Sequence, residues 1–262
     1  MGKVYIIPDI QKIEQSVSLI KEYDGAFEYN DFWLPEVLED KRQQEEIIEQ
    51  YAKYRTDFSK DTMHGAFLDV NVCSTDPLIR EVSVRRVRQS MDIAKQMGLR
   101  GVVFHTGLIA GFRVPQYLEQ WKNRSAEFFT TLMEEYPDQE IFMENMFDED
   151  PVMLAELGEL MKESGKFFVC LDYAHGAVTG CPQETWVQTL APYIRHMHIN
   201  DNDLCIDLHQ PVGEGQIDWM EFHRLLTECQ VDSTVLVEVK GYEAQKKSLE
   251  YLKQNQIFPL DQ

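Results

Sequence analysis

Long apolar runs are missing from this chain. None approaches the roughly 18–20 residues that a membrane-spanning helix needs, so no membrane span is expected. The opening stretch MGKVYIIPDIQKIEQ lacks both a long apolar core and a small-residue cleavage site, so no secretory leader is expected either. Positive charge is scarce: 25 Lys and Arg face 45 Asp and Glu, a formal net charge of −20. Non-specific nucleic-acid binding draws on clustered Lys and Arg. The densest basic run here, Arg85-Arg86-Val87-Arg88, sits in a helix-like segment and reads as a solvated face. The charge balance thus argues against nucleic acid and anionic membranes as partners. Cysteines are few, odd in number and widely spaced (Cys73, Cys170, Cys181, Cys205 and Cys229), with no CxxC pair. That argues against a disulfide framework and for reduced thiols in a cytoplasmic protein. No GxGxxG follows an early apolar run, which weakens a dinucleotide-binding sheet.

What is present is the composition of a folded domain, with 44% hydrophobic and 27% charged residues. Eight short apolar runs rich in Val, Ile and Phe cover residues 3–7, 25–30, 62–67, 102–105, 140–144, 167–172, 194–199 and 234–238. They have the length of buried strands. Amphipathic, helix-like stretches separate them, among them 13–23, 35–54, 77–97, 115–135, 151–163, 219–228 and 243–254. Several begin with Pro, where the missing N–H costs little, and Gly98 and Gly165 suit helix ends. Parallel strands need crossover helices. Eight such units in 262 residues, about 33 each, predict an α/β fold: a single-domain (β/α)8 TIM barrel over 1–262.

The chemistry sits at the ends of the apolar runs. In chain order these are His64 in TMHGAF, His105 in VVFHTG, Glu144 in IFMEN, Asp172 in VCLDYAH, His198 in HMHIND and Glu238 in VLVEVKG. Six consecutive strands thus deliver a His, Asp or Glu to one rim, the C-terminal mouth where barrel active sites lie. An unpaired buried charge is expensive, so apolar strands rarely end this way without a reason. His175 follows Asp172 by three residues, and Asp207 and His209 lie past the seventh run in IDLHQPVGEGQIDW. Mixed imidazole and carboxylate suit Zn²⁺, Mn²⁺ or Co²⁺. His196, two residues deeper than His198, reads as structural, and His223 as a helix-surface residue. Arg113 in LIAGFRVPQ is a candidate phosphate or carboxylate contact, and Trp33, Phe67, Phe112 and Trp219 are candidate apolar walls in rim loops.

The pattern HxG, ExN, LDxxH, HxND, DxH…GxG and a final strand-end Glu resembles the xylose-isomerase-like barrels, from about His64 to Glu238. That superfamily joins sugar and sugar-phosphate isomerases and epimerases with endonuclease IV. The isomerase branch implies one divalent ion held by Glu144, Asp172, His198 and Glu238. It implies Glu144 and Glu238 as the pair that removes and returns a proton through a metal-stabilised enediolate, with His175 touching substrate oxygens. Expected substrate contacts are His64, His105, Asn145, Asp201 and Arg113. The expected partner is a small sugar or sugar phosphate, and dimers or tetramers are common in this resemblance class. The alternative branch implies up to three zinc ions and phosphodiester cleavage at abasic DNA. Its additional ligands would be His64, His105, His175, Asp207 and His209, and Phe67-Leu68 resembles its duplex wedge. Against it stand the net charge, the acidic run NMFDEDP after Glu144, and a loop NDFWLP without Lys or Arg.

Overall fold

Strand and helix alternate because the apolar runs are buried on both faces while the stretches between them are apolar on one. The computed structural model describes residues 3–261; residues 1, 2 and 262 of the expected domain lie outside the described residues. The strands are β1 (Val4–Ile6), β2 (Ala26–Tyr29), β3 (Thr62–His64), β4 (Gly101–His105), β5 (Glu140–Glu144), β6 (Phe167–Asp172), β7 (Ile194–Ile199) and β8 (Thr234–Val237). All neighbours pair in parallel and in chain order, and β1 closes on β8 through Val4–Val235, Tyr5–Leu236 and Ile6–Val237. The expected (β/α)8 barrel is therefore the observed fold. Among the described residues no helix is long and apolar enough to cross a membrane.

The helices are α1 (Ile13–Glu22), α2 (Pro35–Glu39), α3 (Lys41–Ala52), α4 (Pro77–Met97), α5 (Pro115–Glu135), α6 (Val152–Met161), α7 (Tyr173–Ala177), α8 (Gln183–Leu190), α9 (Trp219–Glu228) and α10 (Tyr242–Gln254). Pro opens α2, α4 and α5, and Gly98 ends α4 with φ of 71°, its N–H reaching back to Ala94. The single helix expected over 35–54 is two. Asp40 takes an extended backbone, and its carboxylate accepts from the N–H groups of Arg42 and Gln43, so it caps a new helix instead of continuing the old one. The third strand stops at His64 rather than running to residue 67. Gly65 lies against the Phe104 ring, where an added Cβ would sit 2.2 Å from a ring carbon, and the chain turns there into the rim.

The main core lies between barrel and helices. Two smaller apolar groups, Tyr5/Ala26/Leu236 and Val103/Phe142/Cys170, line the barrel's inside. The rest of that interior is polar: Glu28, Thr62, His196 and His198 are all fully buried there. Tyr5 and Phe142 each pack a ring within 5.4 Å of His196.

Candidate metal centre

Alternation along β7 sends His196 and His198 inward, and the ends of β5, β6 and β8 bring carboxylates to the same level. Glu144, Asp172, His198 and Glu238 converge so that one donor atom from each lies within 4.8 Å of the others. Nδ1 of His198 stands 3.2 Å from Glu144 Oε1 and 3.5 Å from Glu238 Oε2. Three carboxylate oxygens in this group, Glu144 Oε2, Asp172 Oδ2 and Glu238 Oε2, are buried without a hydrogen-bond donor. Orphaned anionic oxygens at this density are costly unless a cation sits among them. The donor set, three carboxylates and one imidazole, fits a divalent ion.

Electrostatics follow from the crowding. Burial pushes the Asp172 carboxyl up to about 7, with His175 opposing and the nearby Glu238 and Glu144 adding to the rise. Burial also works against ionisation of Glu144, but the facing His198 and His105 prevail and hold it well below the usual carboxylate range. Glu238 is lowered in the same way against burial, chiefly by His198.

Two further clusters adjoin the first. His64, His105 and Glu144 form one: both Nε2 atoms lie 3.3 Å from Glu144 Oε2 and 3.1 Å from each other. His175, Asp207 and His209 form the other, with Asp207 Oδ2 3.3 Å from His175 Nε2 and 3.0 Å from His209 Nε2. Burial disfavours the charged His209, yet Asp207 and Glu238 outweigh it and raise the ring to about 9. A common device orients these rings. Nδ1 of His64, His175 and His209 donates to the backbone carbonyls of Gly65, Asn145 and Glu238, at 3.0, 2.9 and 2.9 Å. Each Nε2 is thereby turned to its cluster, the way ligating histidines are presented.

Above the clusters opens a cavity of about 570 Å³. Trp33 and Phe67, 4.8 Å apart by ring centroid, make an apolar wall beside Ile7, Met146 and Leu208. His64, His105, Glu144, His175, Asp207, His209 and Glu238 make the polar floor.

Other expected site residues lie elsewhere. Asn145 is fully buried and clamps the backbone of Asp172, accepting its N–H at 2.8 Å and donating to its carbonyl at 2.9 Å. Asp201 is fully buried as well. Its two oxygens accept from the N–H groups of Asn202, Gly213 and Ile217 and from the Trp219 indole, which fixes the loop after β7. Neither residue is in the cavity lining. Arg113 is exposed on the rim and paired with Asp150 at 2.7 Å, away from the cavity lining. Trp219 is buried at the start of α9, and Phe112 packs on Tyr117 rather than on the cavity.

Besides the apolar Ile7, Met146 and Leu208, the sequence reading missed the polar residues Asn30 and Lys240 in the cavity wall and Glu28 beneath it. Glu28 carried a usable signal. A Glu inside the apolar run AFEY needs a partner for the same reason as Glu144 and Glu238 do.

The sequence profile of the xylose isomerase-like TIM barrel family matches residues 23–255. Uncharacterized protein MJ1311 of Methanocaldococcus jannaschii is 29% identical over 212 residues, 73% of this chain and 68% of the relative. Among solved structures, the TTHB071 protein from Thermus thermophilus, soaked with ZnCl2, superposes with a TM-score of 0.76 at 22% identity, over 96% of this chain and 97% of that one. A D-tagatose 3-epimerase-like protein gives 0.74 at 24% identity, over 96% of each chain.

Proposed function

This chain belongs to the xylose isomerase-like TIM barrel family, and from that membership and the mouth's geometry we propose that it is a divalent-metal-dependent sugar isomerase or epimerase. The observation that carries the reading is the convergence of Glu144, Asp172, His198 and Glu238 from four consecutive strands, with buried oxygens left unpartnered. Those four would hold the ion. Bound there, Mn²⁺, Zn²⁺ or Co²⁺ would supply Lewis-acid polarisation of a substrate carbonyl and offset the charge that proton removal creates.

The chain's own residues do the rest. Glu238 reaches the cavity floor and is the more exposed of the two glutamates, at 12% of its side chain against 1% for Glu144. It takes the proton from the sugar carbon beside the carbonyl, and Glu144 serves the opposite transfer. His175 and Asp207 line the cavity and would hydrogen-bond sugar hydroxyls. Trp33 and Phe67 cover the apolar face of the sugar and exclude water from the reacting carbon. Among the described residues Lys240 is the one Lys or Arg of the cavity lining, and Arg113 is turned to Asp150.

Solvent deuterium uptake tests the reading. With Mn²⁺ present and a panel of ketoses in D2O, the wild-type protein is expected to label one sugar carbon. Glu238→Gln, with an unchanged circular dichroism spectrum, loses about 10²–10⁴-fold of that rate. Exchange that persists in Glu238→Gln removes Glu238 as the base; no exchange in the loaded wild type with any sugar ends the isomerase reading.

A second reading has its own observation, the two extra clusters that bring His64, His105, His175, Asp207 and His209 beside Glu144 and Glu238. Such a rim suits three zinc ions and phosphodiester cleavage at an abasic site. Three zinc ions per chain by elemental analysis, with nicking of abasic duplex at physiological salt, would favour it; one ion per chain favours the isomerase.

A further inference from the structure

We propose that Glu28 is a positioning residue for the ion site: its carboxylate fixes His198 with Nε2 protonated and turned into the barrel, so that the Nδ1 lone pair faces Glu144 and Glu238. The inference rests on the metal-dependent reading above.

Glu28 sits mid-strand in β2 between Phe27 and Tyr29, with no exposed surface. The Thr62 hydroxyl donates to its Oε2 at 2.7 Å, and His196 Nε2 approaches the same oxygen at 3.0 Å. The other oxygen, Oε1, lies 3.0 Å from His198 Nε2. Among the described residues neither of these last two atoms has a hydrogen-bond partner, whereas Nδ1 of the same ring is hydrogen-bonded to Glu144 Oε1 at 3.2 Å. Carboxylates face both ring nitrogens, and each only accepts; once Nδ1 gives its lone pair to an ion, the ring proton belongs to Nε2, where Glu28 Oε1 is placed to accept it. The opposite nitrogen, Nδ1, is then the lone pair, and it is the one 3.2 Å from Glu144 and 3.5 Å from Glu238.

The other rim histidines make the argument sharper. His64, His175 and His209 are oriented by backbone carbonyls on Nδ1 and present Nε2. His198 is reversed: it presents Nδ1 and has a buried carboxylate behind it. A carboxylate hydrogen-bonded to a ligating imidazole fixes the tautomer and raises the basicity of the ligand atom. His196 is the brace on the far side. It is hydrogen-bonded at both ring nitrogens, to Thr234 Oγ1 at 2.6 Å and to Glu28, so it has no lone pair left for an ion although it lies beside Cys170 and His198. Glu28 is thereby held from two sides and directed at His198.

Glu28→Gln separates this role from simple packing. Its single amide oxygen is best placed toward the two donors Thr62 and His196, which turns the NH2 group to His198 Nε2 and moves the ring proton to Nδ1. Isothermal titration with Co²⁺ is expected to give about 10–100-fold weaker binding for Glu28→Gln, whereas His196→Asn, which removes one brace but leaves the Glu28–His198 pair in place, is expected to lose less than Glu28→Gln does. Histidine-¹⁵N NMR of the Zn²⁺-loaded wild type is expected to place the His198 proton on Nε2, a readout that needs no variant to fold. Wild-type affinity in Glu28→Gln, an equal loss in His196→Asn, or a proton on Nδ1 in the loaded wild type overturns the proposal. A wild type that takes up no Co²⁺ sinks the metal reading itself; tight wild-type binding with an indifferent Glu28→Gln sinks only this one.

Discussion

The two ends of the barrel treat buried charge in opposite ways. At the N-terminal floor Asp61 and Arg100 each have a counterpart. Asp61, fully buried just before β3, accepts from the Arg55 guanidinium, the Phe27 N–H and the Tyr29 hydroxyl. Arg100 pairs with Glu140 at 2.7 Å, and the Tyr5 hydroxyl donates to the Lys60 carbonyl. At the mouth, Glu144, Asp172 and Glu238 crowd His198 and, among the described residues, keep oxygens without a hydrogen-bond donor although further histidines stand nearby. Satisfied charge closes the bottom of the barrel and stabilises it. Unsatisfied charge at the top is tolerable only as half of a binding site, in keeping with the division of labour between the two faces of this fold.

The strongest way to break that contrast is at the floor. Arg55→Ala leaves Asp61 buried without its cation, and urea unfolding is expected to show a loss of about 3–5 kcal/mol, with metal affinity unchanged. A stable Arg55→Ala would mean that the floor is no better satisfied than the mouth. Next comes the mouth itself. Zn²⁺ or Mn²⁺ at 100 times its dissociation constant should stabilise the native state by about 2.7 kcal/mol, reversed by a chelator; a melting temperature that ignores metal would make the mouth a merely polar end.

A smaller effect comes from His209. Its folded-state value of about 9 lies above the ordinary histidine value, so its stabilising contribution is complete below that ordinary value and fades as pH rises through about 9. Urea midpoints of the metal-free protein should fall across that window, and His209→Gln should flatten the fall; parallel curves for the two proteins would refute the assignment. The smallest effect belongs to neither end. Arg85 pairs with Glu39 on the outer helical surface, and Arg85→Ala should change stability by less than about 1 kcal/mol, measured in the same assay.

Much of this was legible in the sequence because both signals are local. The strands announce themselves as Val/Ile/Phe runs, and His64, His105, Glu144, Asp172, His198 and Glu238 stand at or beside strand ends. The paired state of Arg85, Arg86 and Arg88, with Glu39 and Glu135, also matches their reading as a solvated face. What stayed hidden depends on distant partners. Asn145 and Asp201 look like rim residues until the backbone groups that they bond, 27 and up to 16 residues away, are brought beside them. Glu28 meets His196 across 168 residues of chain, a juxtaposition that only barrel closure creates. The division of 35–54 into two helices turned on one Asp serving as a cap, a choice that propensity alone leaves open.

The clasp made by Asp201 has an evolutionary corollary. One carboxylate ties both ends of the excursion after β7, through Asn202 at its start and Gly213 and Ile217 at its return. Between those ties Asp207 and His209 are fixed to the candidate site by His175 and the Glu238 carbonyl, and the tip that carries Leu204 and Ile206 is exposed. Such a segment behaves as an exchangeable cassette: its tip can be rewritten, or grafted from a homologue, to alter which molecules gain entry while the frame that carries it goes untouched.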